Sequence, residues 1–133
     1  MVGGRWLVAF LIPLGLAACG GGSDSGLTLQ LAQENGSGQS GTATLTPAGD
    51  GRTTVVLELS NPPGAPQPAH VHPGPCGDLG DPIAGLQNLV DGRSKSTVSM
   101  SLDDLRTGDL VVHAHKSEAE FEISVACAPI PAR

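Results

Sequence analysis

The 133-residue chain carries a formal net charge of −6, is 39% apolar and 15% charged, and has only three aromatic residues, Trp6, Phe10 and Phe121. One small domain is all that this length accommodates, and the composition is too apolar and too sparsely charged for a disordered tail. With seven Lys and Arg residues and almost no rings, both counterion release and base stacking lack the groups they need, which excludes nucleic acid as a partner.

At the N-terminus, Arg5 precedes an unbroken apolar run over residues 6–16, WLVAFLIPLGL. The run is about half of the roughly 20 residues that a membrane-spanning helix needs, so it reads as a signal-peptide core. It ends in Leu16-Ala17-Ala18-Cys19, which looks like a bacterial lipoprotein box, with residues 1–18 removed and Cys19 lipidated. The Gly/Ser/Asp-rich stretch after Cys19, as far as Gly26, suits a flexible tether. Gly20 stands where an Asp would signal retention at the inner membrane, so the expected location is the periplasmic face of the outer membrane, with the lipid as the membrane contact. Loss of Arg5 takes the formal charge from −6 to −7.

From residue 27 onward the pattern has period two, the signature of strands with one face in a core. Leu27, Leu29 and Leu31 alternate with polar or small residues; a turn signal follows at Asn35-Gly36-Ser37-Gly38. Ala43 and Leu45 form a second alternating run, and Ala48-Gly49-Asp50-Gly51 turns the chain into a third with Val55, Leu57 and Leu59. Between residues 62 and 92 the regularity fails in a proline-rich stretch, a place for function rather than scaffold. Within it, Asp78, Asp81 and Asp91 are either solvated turn residues or ligands for a hard cation. Val98, Met100 and Leu102 alternate next, and a helical turn over residues 102–106 is stopped by Gly108. Phe121, Ile123, Val125 and Cys127 make the last alternating run. Short strands with Gly- and Pro-rich connections predict an all-β Greek-key sandwich or barrel with one long irregular loop, occupying residues 27–133.

All four histidines occur as His-x-His, in Ala69-His70-Val71-His72 and Val112-His113-Ala114-His115. On a strand, both rings of each pair project from one face while the small apolar residues face the other. Same-face residues lie about 6.5 to 7 Å apart at Cα, close enough for two imidazoles to converge on one ion, and neutral imidazole suits copper or zinc. His70, His72, His113 and His115 are therefore the candidate metal ligands. With Cys19 committed to lipid, Cys76 and Cys127 remain as a pair in an oxidising compartment, expected as a disulfide. Two free thiols or two soft metal ligands are the alternatives.

In this order, strand, Gly-rich turn, His-Val-His, Cys, Val-Val-His and a final Ala-Cys, the chain resembles copper/zinc superoxide dismutase. The matching pieces are Ser40-Gly41-Thr42, residues 69–72, Gly77-Asp78, Leu110-Val111-Val112-His113 and Val125-Ala126-Cys127. Residues 69–74 and 105–108 also resemble segments of CHRD-type domains. The dismutase resemblance implies copper ligation by His70, His72 and His113, which would also be the catalytic residues of a dismutase, and a Cys76–Cys127 bridge. It further implies that the family's zinc site is missing, since no histidine lies between His72 and His113 to bridge the two metals. The family's anion-orienting Arg is replaced by Ser124, so any steering of an anion would fall to Arg93, Lys95 or Lys116. His115 has no family counterpart and could complete a four-histidine mononuclear site. Three functions follow: a copper-binding envelope lipoprotein, a copper-only dismutase, or a metal-free CHRD-like interaction domain.

Overall fold

A computed structural model describes residues 25–133. The expected signal peptide, Cys19 and the tether as far as Asp24 lie outside the described residues. Eight strands and one helical turn follow in chain order: β1 (Leu27–Gln33), β2 (Gly41–Gly49), β3 (Arg52–Leu59), β4 (Gln67–Pro73), β5 (Ala84–Leu89), β6 (Arg93–Val98), α1 (Leu102–Leu105), β7 (Leu110–His115) and β8 (Ser124–Pro129). They are antiparallel and lie in the order β5-β4-β7-β8-β1-β2-β3-β6. The two outermost strands are joined by a hairpin in which Val90 and Arg93 exchange backbone hydrogen bonds of 3.0 and 3.1 Å. The sheet thus curls into a nearly closed barrel, and the β3–β4 and β6–β7 connections cross it in Greek-key fashion.

The turns follow from residues that tolerate positive φ. Asp50-Gly51 (φ 54° and 69°) joins β2 to β3, and Asp91-Gly92 (φ 51° and 79°) joins β5 to β6. Two successive positive φ values match the right-handed twist of the strands they connect, so these dipeptides fix the register of both hairpins.

Inside the barrel, alternate residues meet as predicted: Leu29 and Leu31 of β1, Ala43 and Leu45 of β2, Val55 and Leu57 of β3, Val71 of β4 and Val112 of β7 are all buried in one aliphatic cluster. Burying each Val or Leu contributes about 1.5–3 kcal/mol. The helical turn α1 closes one end with Leu102 and Leu105, and the Ser101 hydroxyl caps it by accepting from the Asp104 N–H at 3.0 Å.

Three segments depart from the alternation. β6 begins at Arg93 and ends at Val98, so Met100 lies past the strand and Leu102 starts α1. β8 begins only at Ser124, because residues 119–122 turn back toward β7; the Lys116 N–H bonds the Ile123 carbonyl at 2.8 Å, and the Ile123 N–H bonds that of Glu120 at 3.1 Å. Phe121 and Ile123 are consequently exposed rather than in the core. The irregular stretch also contains a strand, β5, so its loops shrink to residues 62–66 before β4 and residues 74–83 after it.

Candidate metal centre

β4 and β7 are adjacent and antiparallel, in a register that sets His70 opposite His113, Val71 opposite Val112 and Ala69 opposite Ala114. The pleat sends Ala69, Val71, Val112 and Ala114 inward and all four imidazoles to the outer face. That outer face is not solvated. His72, His113 and His115 are buried and His70 is half-buried, because two connections fold over them: residues 74–83 after β4 and residues 116–123 before β8.

The cover is itself held in place. Cys76 and Cys127 form a disulfide, with Cα atoms 6.0 Å apart, so residues 74–83 are tied to β8 and neither sulfur is a thiolate available to a metal. Gly74 adopts φ 96°, and a Cβ there would lie 2.4 Å from the Asp78 carbonyl oxygen, so the loop can close this tightly only at glycine. The Gly80 N–H bonds the Pro73 carbonyl at 2.8 Å.

His115 lies at the centre of the cluster, its ring centroid 4.5 Å from His113, 5.1 Å from His70 and 5.8 Å from His72. Phe121 stacks on its other face at 4.0 Å with an interplanar angle of 15°. One nitrogen from each of His70, His72 and His115 falls within 4.8 Å of the others. His113 lies outside that trio: its Nε2 meets the Ser124 hydroxyl at 2.6 Å.

Hydrogen bonds assign the protons. His72 Nδ1 lies 2.9 Å from the Gly80 carbonyl and His115 Nδ1 lies 2.6 Å from the Phe121 carbonyl. A carbonyl oxygen can only accept, so both rings carry the proton on Nδ1 and keep a lone pair on Nε2. His115 Nε2 then accepts from His70 Nδ1 at 3.1 Å. Among the described residues, neither His72 Nε2 nor His113 Nδ1, both buried, has a hydrogen-bond partner. A buried polar atom without a partner costs about 1–3 kcal/mol, and a cation bound at the lone pair of His72 removes that cost. Histidines fixed by a carbonyl on one nitrogen and free on the other are the arrangement that metal ligation uses. A metal ion therefore fits the trio: with the His70 ring proton carried on Nε2 instead of Nδ1, His70, His72 and His115 would each offer it the lone pair of a neutral imidazole.

Electrostatics favour the neutral form of His70, His113 and His115, the form that ligation requires. Burial, followed by repulsion from His115 and His72, lowers the His70 pKa below its ordinary value. Burial, followed by repulsion from the other three histidines, lowers that of His113 to about 3. His115 is also lowered by burial, against the opposing pull of the Phe121 carbonyl and the Glu122 carboxylate. Glu34 comes within 3.7 Å of His113 Nε2, a distance that would count as an ion pair for a charged ring. Because desolvation dominates, the ring stays neutral and the contact is that of a carboxylate beside a neutral imidazole.

A cleft of about 460 Å³ opens onto the cluster, lined by His72, His113 and His115 on its floor and by Asp78, Asp81 and Glu122 among its walls. No lysine or arginine among the described residues lines it.

The chain matches no protein-family model and no curated protein. Among solved structures, it is similar to a point variant of superoxide dismutase 5 from Candida albicans, with a TM-score of 0.58 and 22% identity, covering 80% of this chain and 91% of that one. The fold is superoxide dismutase-like. On this dismutase-like barrel the two His-x-His strands lie side by side, and the disulfide joins the two expected cysteines. His115, which the sequence resemblance leaves without a counterpart, is in the trio. Sequence reasoning missed Gly80 and Phe121, the carbonyls that orient two of the rings. Neither carries a side-chain signal for that role, since both act through the backbone.

Proposed function

We propose that this domain is a copper-binding module, holding one copper ion through His70, His72 and His115 with His113 beside it, and that Cys19 anchors it by lipid to the cell envelope. The observation that carries the metal reading is the buried, unpartnered Nε2 of His72, on a residue that offers a ligand atom within 4.8 Å of those of His70 and His115. An all-imidazole set with no thiolate suits copper or zinc, and copper(II) stands above zinc in the general affinity order. A bound copper ion would supply a one-electron redox centre.

A copper-only dismutase is the second reading, favoured by the likeness of fold. It ranks lower because superoxide is an anion and the cleft presents three carboxylates and no positive side chain. A cleft lined by one sign of charge concentrates the opposite sign, which here is the metal and not the oxygen radical. A metal-free scaffold would leave the unpartnered histidine nitrogens without a purpose.

The test is copper titration of the purified protein with the Cu(II) EPR spectrum and a superoxide-removal assay. One copper per chain with nitrogen hyperfine structure is expected, and removal of superoxide little faster than that by free copper. His72→Ala or His115→Ala should weaken binding by more than about 100-fold, beyond the range seen for outer-shell changes. Binding indifferent to both substitutions would refute the metal reading, and fast dismutation would promote the second reading. Partition into the detergent phase that disappears with Cys19→Ser tests the anchor.

A further inference from the structure

We infer that the cleft over the histidines is a port for cations: the metal enters and leaves as a free or neutrally ligated cation past Asp78, Asp81 and Glu122, and the port excludes anions and anionic metal complexes. This rests on the metal-binding reading and goes beyond it, because it names the charge class of what the site exchanges.

Four observations converge on it. The cleft gives onto His72, His113 and His115, and Phe121, stacked on His115 and edge-on to His70 at 5.5 Å, forms part of its lining. All three acidic residues of its lining are exposed, and none has an ion-pair partner among the described residues. The nearest basic residue along the chain, Lys116, is paired with Glu120 at 2.9 Å and lines not the cleft but a neighbouring groove, which shares Glu122 and Ser124 with it. Fourth, the cleft has a receptor on its floor: His72, 5% exposed, lines it and carries the unpartnered Nε2. Acidic walls alone would be an ordinary solvated surface. Acidic walls above a buried lone pair make a path from solvent to ligand.

The walls are also held in position. Asp78 and Asp81 belong to the connection fastened by the Cys76–Cys127 disulfide, and the Asp78 N–H bonds the Pro75 carbonyl at 3.1 Å. Glu122 lies next to Phe121, whose carbonyl is fixed by His115. The backbone that carries the three carboxylates is therefore fastened beside the histidines, and a field of one sign at a cleft raises the encounter rate of the opposite charge by about 10- to 1000-fold at low salt.

The experiment compares three proteins: the natural chain, a cleft variant D78N/D81N/E122Q, and a control variant D50N/D91N/D104N that removes the same formal charge outside the cleft lining. Asp50 and Asp91 have positive φ, which Asn tolerates as Asp does. Stopped-flow measures loading by aqueous Cu(II) at about 0.01 M and about 0.15 M ionic strength, where the screening length falls from roughly 30 to 8 Å. Azide binding to the copper-loaded proteins, followed by its charge-transfer absorption, serves as the anionic probe.

The natural and control proteins should load at similar rates, about tenfold faster at low salt than the cleft variant, with the gap closing as salt rises. Azide should show the reverse, binding more tightly to the cleft variant and, on the natural protein, more tightly as salt increases. Equal loading rates for all three proteins, or azide affinity unaffected by the cleft substitutions, would overturn the port while one copper per chain still bound. Absence of stoichiometric copper at equilibrium would instead remove the metal reading beneath it. A control variant as slow as the cleft variant would assign the effect to net charge and also overturn the port.

Discussion

The two outer faces of the barrel are built by the same alternation and end in opposite environments. Across β2, β3 and β6 runs the row Thr42, Glu58, Arg93; across β4, β7 and β8 runs the row His70, His113, Cys127. In the first row Glu58 and Arg93 are exposed and paired in water. In the second, His113 is 1% exposed and Cys127 is tied to the loop that covers the row. Period two explains why both rows point away from the core, but not why one of them is buried. Burying polar side chains on the outside of a barrel costs desolvation with no packing need to justify it. The cost is sensible only if the groups buried there have something to bind. The difference between the rows therefore separates scaffold from site better than any single motif does.

The disulfide is the sharpest place to break that difference, because it fastens the cover. Cys76 and Cys127 are 51 residues apart, and on the loop-entropy account closing such a segment stabilises the fold by about 4 kcal/mol. Replacing both with Ala should lower the unfolding free energy by that order in urea titration. Copper affinity should fall as well, by about 10- to 100-fold, because the Gly80 carbonyl that orients His72 belongs to the released loop. A stability loss below about 1 kcal/mol would show that the cover is held by its other contacts.

The second row was only partly legible in the sequence. Alternation sufficed for β1, β2 and β3, and the His-x-His spacing placed four imidazoles on one face. It could not say which of them converge, since ring direction depends on the partner of the other nitrogen, and those partners are the backbone carbonyls of Gly80 and Phe121. β5 was hidden because Ala84 to Leu89 carries few strand-forming residues; its Asp91-Gly92 turn was the readable sign of the hairpin. The run Phe121, Ile123, Val125, Cys127 misled in the opposite sense. Its first half is drawn out of the strand by the bond to His115 and the stack on that ring, a tertiary contact overriding a correct local pattern.

Acid should act on the buried row and spare the exposed one. In the unfolded chain His113 takes up a proton near pH 6.5, while in the fold it does so only near about 3. Between those values the unfolded state binds more protons, so stability is full above about 6.5 and declines as pH falls through the window. The slope is about 1.4 kcal/mol per pH unit for this histidine, or roughly 2 kcal/mol by pH 5, with His70 and His115 adding in the same direction. Urea midpoints of the metal-free protein measured from pH 7.5 to 5 check it, and His113→Asn should flatten the decline. A pH-independent midpoint would mean that the row is more hydrated than its burial implies.

The exposed row supplies the smallest effect and the control for the rest. Glu58 and Arg93 make an ion pair in full contact with water, where desolvation is slight and salt screens the attraction. Glu58→Gln or Arg93→Gln should each change the unfolding free energy by no more than about 0.5 kcal/mol, and the difference should shrink at high salt. Copper affinity and its pH dependence should stay as they are, since neither residue lines the cleft. A loss above about 1 kcal/mol, or any change in copper binding, would mean that the two faces communicate through the barrel wall. In that case the division into solvated scaffold and covered site would have to be redrawn around the shared core strands.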